Sequence, residues 1–368
     1  MTFKLPEYHP PNFNAPPFTE FPLARFEVVR EEGVAPAGYH ATSIYPEYFH
    51  VSKGEWRLIE ESRMDCVVVR EKGDALNVRP FRHLRVGDRV ACGRLENGEA
   101  GIYVHAMGFD DPDRSEDKFQ FRTRLTRETS FSIDYDELYD LLGHERGGGF
   151  VLWVLGPAVV FDRDARWAFV RLVEEGYVHG LLAGNALAVH DTEAAMYGTA
   201  LGQEIYSKKR QPLGHYNHLD TINQVRSQGS FGQAVASGLI QDGIMRALTL
   251  KTVPYVLAGS IRDDGPVPDV ITDAVLAQDA MRKLATKATT VIALATQLHA
   301  IATGNMVPSY KVMGRTQVRP VYFYTVDMSE FAVDKLANRG SLTARSLLTN
   351  VQDFVVTLER GLGKRCGP

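Results

Sequence analysis

The sequence predicts an α/β protein in which a mostly parallel sheet carries helices on both faces and follows a smaller, β-rich N-terminal domain. Three observations carry this expectation. After Gly149, apolar runs of four to six residues alternate with helical patterns, as buried parallel strands joined by crossover helices do. Before Asp110, short strand patterns are separated by Gly, Asp and Asn. A chain of 368 residues exceeds a usual single core, so two domains, or one with a large extension, are expected.

Residues 1–27, with His9-Pro10-Pro11 and Pro16-Pro17, read as an extended Pro-rich arm able to drape over a partner. Residues 28–110 form the small β-rich domain. Its strand patterns fall at Phe26 to Arg30, Tyr48 to His50, Trp56 to Glu60, Cys66 to Arg70, Ala75 to Val78 and Arg89 to Gly93. Residues 111–149 are charged and loop-like and make the connection, with a short helix at Asp134 to Leu142 from the spacing of Tyr135, Leu138, Tyr139 and Leu142.

Residues 150–362 make the main domain. Strands are expected at Val151 to Leu155, Gly180 to Ala183, Tyr255 to Ala258, Thr290 to Leu294 and Val321 to Val326. Helices are expected at Arg166 to Glu175, Asp191 to Tyr197, Ser230 to Ser237, Gly243 to Lys251, Val270 to Ala288, Phe331 to Asn338 and Val351 to Leu358.

A 44% hydrophobic and 23% charged composition is that of an ordinary globular protein, which argues against disorder or a fibre. Net charge is -4 and the cations are scattered among acids, so no stripe exists to neutralise a nucleic-acid backbone. The apolar stretch from Phe150 to Phe161 is broken by Gly and Pro and is shorter than the roughly 20 residues of a membrane span. The start lacks a signal-peptide core. A cytoplasmic protein with no membrane or nucleic-acid partner is expected. Cys66, Cys92 and Cys366 match neither a disulfide framework nor a zinc pattern.

In such a sheet, ligands bind outside the carboxyl ends of the strands. The expected ends carry Gly156-Pro157-Ala158, Gly184-Asn185-Ala186, Gly259-Ser260-Ile261, Thr296 after Ala295, and Asp327. Glycine lets backbone approach a pyrophosphate, and Ser, Thr and Asn supply hydrogen bonds to phosphate and ribose. A strand-end carboxylate such as Asp327 suits a ribose 2′-hydroxyl and favours NAD over NADP. A plain turn explains any one of these residues, and their coincidence at one edge points to a Rossmann-like nucleotide site. Neither G-x-G-x-x-G nor a Walker-type loop is present, so phosphate would be held by a different loop.

The loop Arg262-Asp263-Asp264 sets a cation beside two carboxylates. It can anchor an amino-acid carboxylate and hold an ammonium, or close on itself as a salt bridge beside a helix cap near Asp269. His190 and His299 are the histidines placed to relay protons, and packing roles are the alternative. His215 and His218 lack a third ligand at metal spacing, so no metal is expected.

The run from Gly184 to Asp191, the run VLAGSIRDDGPVPDVITD from Val256 to Asp273, and Ala277-Gln278-Asp279-Ala280-Met281-Arg282 resemble archaeal-type ornithine cyclodeaminases and the related lysine-ketoglutarate reductase/saccharopine dehydrogenase-like proteins. Gly156 to Val160, Glu175 to Val178, Gly243-Ile244-Met245, Gly304-Asn305-Met306, Val34-Ala35-Pro36 and Met64-Asp65-Cys66 extend the resemblance over most of the chain from about residue 28. It implies a tightly held NAD recycled within each turnover, with ornithine converted to proline and ammonia. That cycle needs a carboxylate anchor and an acid/base group in a dry cleft. The candidates are Asp264, Asp263 and His299 for catalysis and Arg262 and Asn305 for substrate. For the cofactor they are Gly156, Pro157, Ala158, Gly184, Asn185, Ala186, Asp191, Gly259, Ser260, Ile261, Thr296 and Asp327.

Two segments depart from the family pattern: the cationic stretch 119–128 and the insertion 309–318. If either lines the cleft, the substrate is another diamino acid or a larger imine precursor. The alternatives are an NAD-dependent dehydrogenase or imine reductase of another amino acid, and a non-catalytic NAD-binding regulator. A homo-oligomer is expected, since the family's members assemble.

Overall fold

The computed structural model describes residues 3–109, 132–314, 317–329 and 342–366. The expected helix at Phe331 to Asn338 and the cationic segment 119–128 lie outside them.

The N-terminal unit is antiparallel. One sheet has the order β1-β7-β5-β6, built from β1 (Arg25–Val28), β5 (Val67–Arg70), β6 (Leu76–Arg79) and β7 (Arg89–Cys92). A second places β2 (Glu47–Ser52) between β3 (Glu55–Leu58) and β8 (Ile102–Val104). The Pro-rich arm packs on this unit of its own chain, with Phe13 stacked on Trp56 at a centroid distance of 5.0 Å. The stacking leaves both rings half-buried against each other, so this part of the arm is occupied internally.

A third sheet crosses the expected domain boundary. β16 (Tyr310–Met313) and β17 (Gln317–Pro320) leave the C-terminal half and pair with β4 (Glu61–Ser62). Tyr310, fully buried, joins Phe49, Ile59 and Val68 in one apolar cluster and donates its hydroxyl to the Ile59 carbonyl at 2.9 Å. The segment expected as an insertion inside 150–362 therefore completes the N-terminal unit.

Helix α1 (Ser132–Gly148) leads into the α/β unit and is longer than the expected Asp134 to Leu142. Arg319 and Glu145, both buried, pair at 2.5 Å, and Thr289 donates its hydroxyl to the same carboxylate. The pair ties α1, β17 and the start of the central sheet at one point.

The main sheet is parallel, in the order β14-β13-β10-β9-β15-β18-β19. Its strands are β9 (Val151–Leu155), β10 (Gly180–Gly184), β13 (Tyr255–Ala258), β14 (Val270–Ile271), β15 (Thr290–Leu294), β18 (Tyr322–Asp327) and β19 (Thr343–Leu348). Successive side chains point to opposite faces. Trp153 and Leu155 accordingly pack with α2 (Arg163–Glu174) and α9 (Val351–Cys366), whereas Leu152 and Val154 pack with α7 (Ala274–Ala285). Burying one such side chain contributes about 1.5–3 kcal/mol, and the two-faced burial explains why these strands are continuous apolar runs.

Between β10 and β13 lie α3 (Asn185–Tyr197), a hairpin of β11 (Thr199–Ala200) and β12 (Gln203–Glu204), then α4 (Gly214–Gln228), α5 (Phe231–Ala236) and α6 (Ile244–Leu250). Helix α8 (Gln297–Gly304) follows β15. Among the described residues no helix is long and apolar enough to cross a membrane.

Candidate active site

The chain starts the sheet at β9, runs outward through β10, β13 and β14, then returns to β15, β18 and β19 on the other side. Without the two-residue β14 this is the 3-2-1-4-5-6 order of dinucleotide-binding sheets, and its crevice opens between β9 and β15, where the winding reverses. The sequence-predicted strand ends therefore share one edge.

At the reversal the two backbones nearly touch. Gly156 donates its amide to the Leu294 carbonyl at 2.8 Å, and a Cβ there would lie 2.0 Å from the Ala295 carbonyl oxygen. Ala295 itself has φ 47°, a left-handed conformation costly for alanine that turns the chain sharply into α8. Pro157 opens a 3-10 turn, Pro157–Phe161, and the Ala158 carbonyl is held by Gln352 at 2.8 Å.

At the β10 tip, a Cβ on Gly184 would meet His299 Cε1 at 3.0 Å. His299 thus reaches from the first turn of α8 across the reversal, with its Nδ1 3.4 Å from the Thr296 hydroxyl. Burial lowers its pKa from the ordinary histidine value, while the negative charge of Asp263 acts in the opposite direction. A neutral imidazole is the result near pH 7.

Asn185 opens α3, accepting the Val267 amide at 3.2 Å and directing its own amide at Asp263 over 3.4 Å. Asp263 is held by the Ser260 amide at 2.8 Å. Arg262 and Asp264 are exposed, and no ion pair forms within this loop among the described residues. The loop-internal salt bridge is therefore absent, and the helix cap falls to Asp273, not Asp269. A Cβ on Gly259 would lie 3.2 Å from the Ile271 carbonyl oxygen at the end of β14. Ile261, Leu298 and Met328 stand exposed beyond β13, β15 and β18, an apolar rim around polar tips.

Helix starts at this edge differ from those of α2, α5 and α7. The turns beginning at Gly156, Gly184 and Thr296 have no side-chain cap. By contrast α2, α5 and α7 are capped by Asp162, Ser230 and Asp273. Uncapped amides leave donors and positive dipole ends directed at the crevice, the arrangement that receives a pyrophosphate.

Asp191, Asn305 and His190 stand away from this edge. Asp191 is fully buried six residues into α3, paired with Arg166 at 2.7 Å and accepting the Ile244 and Met245 amides at 3.0 and 2.8 Å. One oxygen takes Arg166 and the Ile244 amide and the other the Met245 amide inside the core, so it caps α6 and lies away from the strand tips. Asn305 ends α8, about 12 Å down an eight-residue helix from Thr296, and so does not reach the strand tips. Asp327 lies at the β18 tip, on the opposite side of the reversal from β10, and accepts the Ser329 amide at 2.9 Å. The carboxylate beside the second strand, where an adenosine ribose binds, is Asp263. His190 is buried on α3 beside Glu193 and is not at the rim.

Residues 138–358 match the family described as arginine dihydrolase ArgZ-like, C-terminal, Rossmann fold. The chain is 36% identical over 339 residues to the ornithine cyclodeaminase of Methanocaldococcus jannaschii, covering 90% of this chain and 76% of that one. It superposes on the LOR/SDH protein of Methanococcus maripaludis with a TM-score of 0.84 at 33% identity, covering 94% of this chain and 99% of the other. It also superposes on AgrE in a ternary complex with ornithine and NAD+, with a TM-score of 0.60 at 31% identity, covering 95% of this chain and 47% of AgrE.

Proposed function

The chain belongs to the family of ornithine cyclodeaminases with the ArgZ-like Rossmann domain, and from that premise we propose an NAD-dependent enzyme that converts L-ornithine, or a related diamino acid, to L-proline or a cyclic imino acid and ammonia. The observation that carries this reading is the meeting of Gly156, Gly184, Asn185, Asp263, Thr296 and His299 at the reversal of a 3-2-1-4-5-6 sheet. The three uncapped helix starts fit a pyrophosphate, and a side chain at Gly184 would press on His299. Asn185 and Asp263 fit a ribose diol, and the carboxylate disfavours a 2′-phosphate.

Bound NAD would accept a hydride from the substrate α-carbon and return it to the cyclic imine, so the turnover is redox-neutral. The protein supplies the rest. His299, neutral and half-buried, takes the proton that the α-ammonium must lose, with the Thr296 hydroxyl orienting its ring. Arg262, exposed beside the crevice, supplies the cation for the substrate carboxylate, and Asp264 next to it can hold an ammonium. As the α-imine forms, the substrate's own δ-amine attacks it and ammonia departs. Asn305 is too far along α8 to share in this.

Cytoplasmic residence and a homo-oligomer belong to the same proposal. Leu213, Tyr216 and Leu219 stand exposed near the start of α4 at a three-residue spacing, which supports self-association. Sedimentation of the purified chain tests that point.

The function is tested by mass spectrometry of small molecules released on denaturation, then by ammonia and proline assays with ornithine and other diamino acids. Ammonia without net growth of NADH absorbance is expected. Net NADH growth would instead indicate a dehydrogenase or imine reductase. Bound NAD with no turnover would leave a regulatory role, and failure to bind NAD at millimolar supply would sink the cofactor assignment.

A further inference from the structure

Below its first turns, α3 faces the β11–β12 hairpin and α4, and three side chains meet there that take no part in the chemistry above. Glu193 is fully buried. Its Oε1 accepts the Thr199 hydroxyl at 2.8 Å and the Gly202 amide at 2.9 Å, and its Oε2 accepts the Leu201 amide at 3.1 Å. A carboxylate oxygen has two lone pairs, so beside the Leu201 amide Oε2 has one further acceptor site, which His190 Nδ1 approaches in a long hydrogen bond of 3.4 Å. His190 Nδ1 and His218 Nδ1 each lie 3.4 Å from that oxygen, and the three residues each bring one ligand atom within 4.8 Å of the others. The Nδ1 of His218 is buried and makes no hydrogen bond.

The same molecule supplies a control. His40 Nε2 and Glu47 Oε2, both fully buried, meet at 2.8 Å, as a charge-assisted hydrogen bond should. Neither imidazole at Glu193 closes to that distance. Ligands held tetrahedrally at about 2.0–2.1 Å from a zinc ion lie about 3.3–3.4 Å from each other. The two His–Glu spacings match two edges of such a tetrahedron.

We propose that His190, Glu193 and His218 bind a divalent transition-metal ion of the zinc type. Two imidazoles and one carboxylate suit such an ion, whereas calcium and magnesium favour all-oxygen shells. His190 and Glu193 share one face of α3 at i,i+3, and His218 comes from α4, so the ion would cross-link the two helices. The supporting shell is in place: Thr199 and Gly202 fix the second carboxylate oxygen, and Asn217 donates to the Thr199 hydroxyl at 3.1 Å. His218, 31% exposed, leaves a fourth position open to water. This replaces the expectation of no metal, which rested on His218 lacking a carboxylate partner nearby in sequence.

The full chain, freed of any affinity tag and stripped with chelator, is titrated with Co2+ and then Zn2+. One Co2+ per chain with the intense visible bands of a tetrahedral site, displaced by Zn2+, is expected, together with a rise in Tm on zinc addition. The His218→Ala variant should bind Co2+ about tenfold or more weakly, lose the bands and show no zinc-dependent rise in Tm. Equal uptake by wild type and variant, or only the weak bands of a hydrated ion, would overturn the proposal. If the alanine variant does not fold, His218→Gln serves the same comparison, because it removes the ligand nitrogen while keeping the surface polar.

Discussion

Two kinds of helix start coexist in the α/β unit. Those of α2, α5, α6 and α7 are closed by protein carboxylates or hydroxyls from Asp162, Ser230, Asp191 and Asp273. Those at the tips of β9, β10 and β15 are bare. Both present the same orphan amides, so the difference lies in what completes them: the fold itself in the first group and, on the function proposed above, a ligand in the second. Capped starts should govern stability, and bare starts should govern affinity.

The largest effect should come from the capped side. Asp191→Asn leaves Arg166 buried without its fully buried partner and weakens the cap of α6, and a loss of about 3 kcal/mol in denaturant unfolding is expected. A loss under about 1 kcal/mol would mean that Asp242, also bonded to Arg166, suffices alone. Gly156→Ala comes next, because its Cβ would collide with backbone at Ala295, and no side-chain rotation relieves that. About 1–3 kcal/mol of stability and most NAD affinity should be lost together, since this bare start is also a point of close backbone packing.

The paired variants Asp162→Ala and Asn185→Ala sharpen the contrast. The first should cost about 1 kcal/mol of stability and leave NAD binding intact. The second should weaken NAD about tenfold, or 1.4 kcal/mol, in a calorimetric titration. Opposite outcomes would break the division of roles.

The smallest effect is in pH. Because burial lowers the His299 pKa, the unfolded chain binds its proton more readily than the native one. Stability contributed by this residue should therefore be complete above the ordinary histidine value and decline as pH falls through it toward the lower native value. Turnover should fall over an acid limb at that same native value, and His299→Gln should abolish the limb while leaving NAD affinity within about twofold.

The sheet was legible because strands buried on both faces leave uninterrupted apolar runs, ended by Gly156-Pro157 after Val151 to Leu155 and by polar Thr296 soon after Thr290 to Leu294. Helix α4 was not, since it buries chiefly Gly214, Thr221 and Val225, which give no helical apolar period. The β16–β17 excursion was invisible for another reason: strand pairing with residues 61–62 is a long-range contact that no local pattern encodes. In the site, Gly184, Asn185 and Thr296 were found as strand ends. Asp191 was misplaced because its helix was expected to start there; starting instead at Asn185, the helix carries Asp191 well below the rim. Glu193 was missed because its partners come from a hairpin and a second helix.

The excursion of residues 310–320 into the N-terminal unit bears on how this protein can be cut. A fragment beginning near residue 150 would carry a hairpin whose edge has lost Glu61 and Ser62 and a Tyr310 whose pocket has gone. Such a fragment would expose an unpaired strand beside a bare aromatic surface, an invitation to aggregate. Swapping or expressing the nucleotide half as a module would thus require either co-production with residues 3–109 or removal of the hairpin at its base.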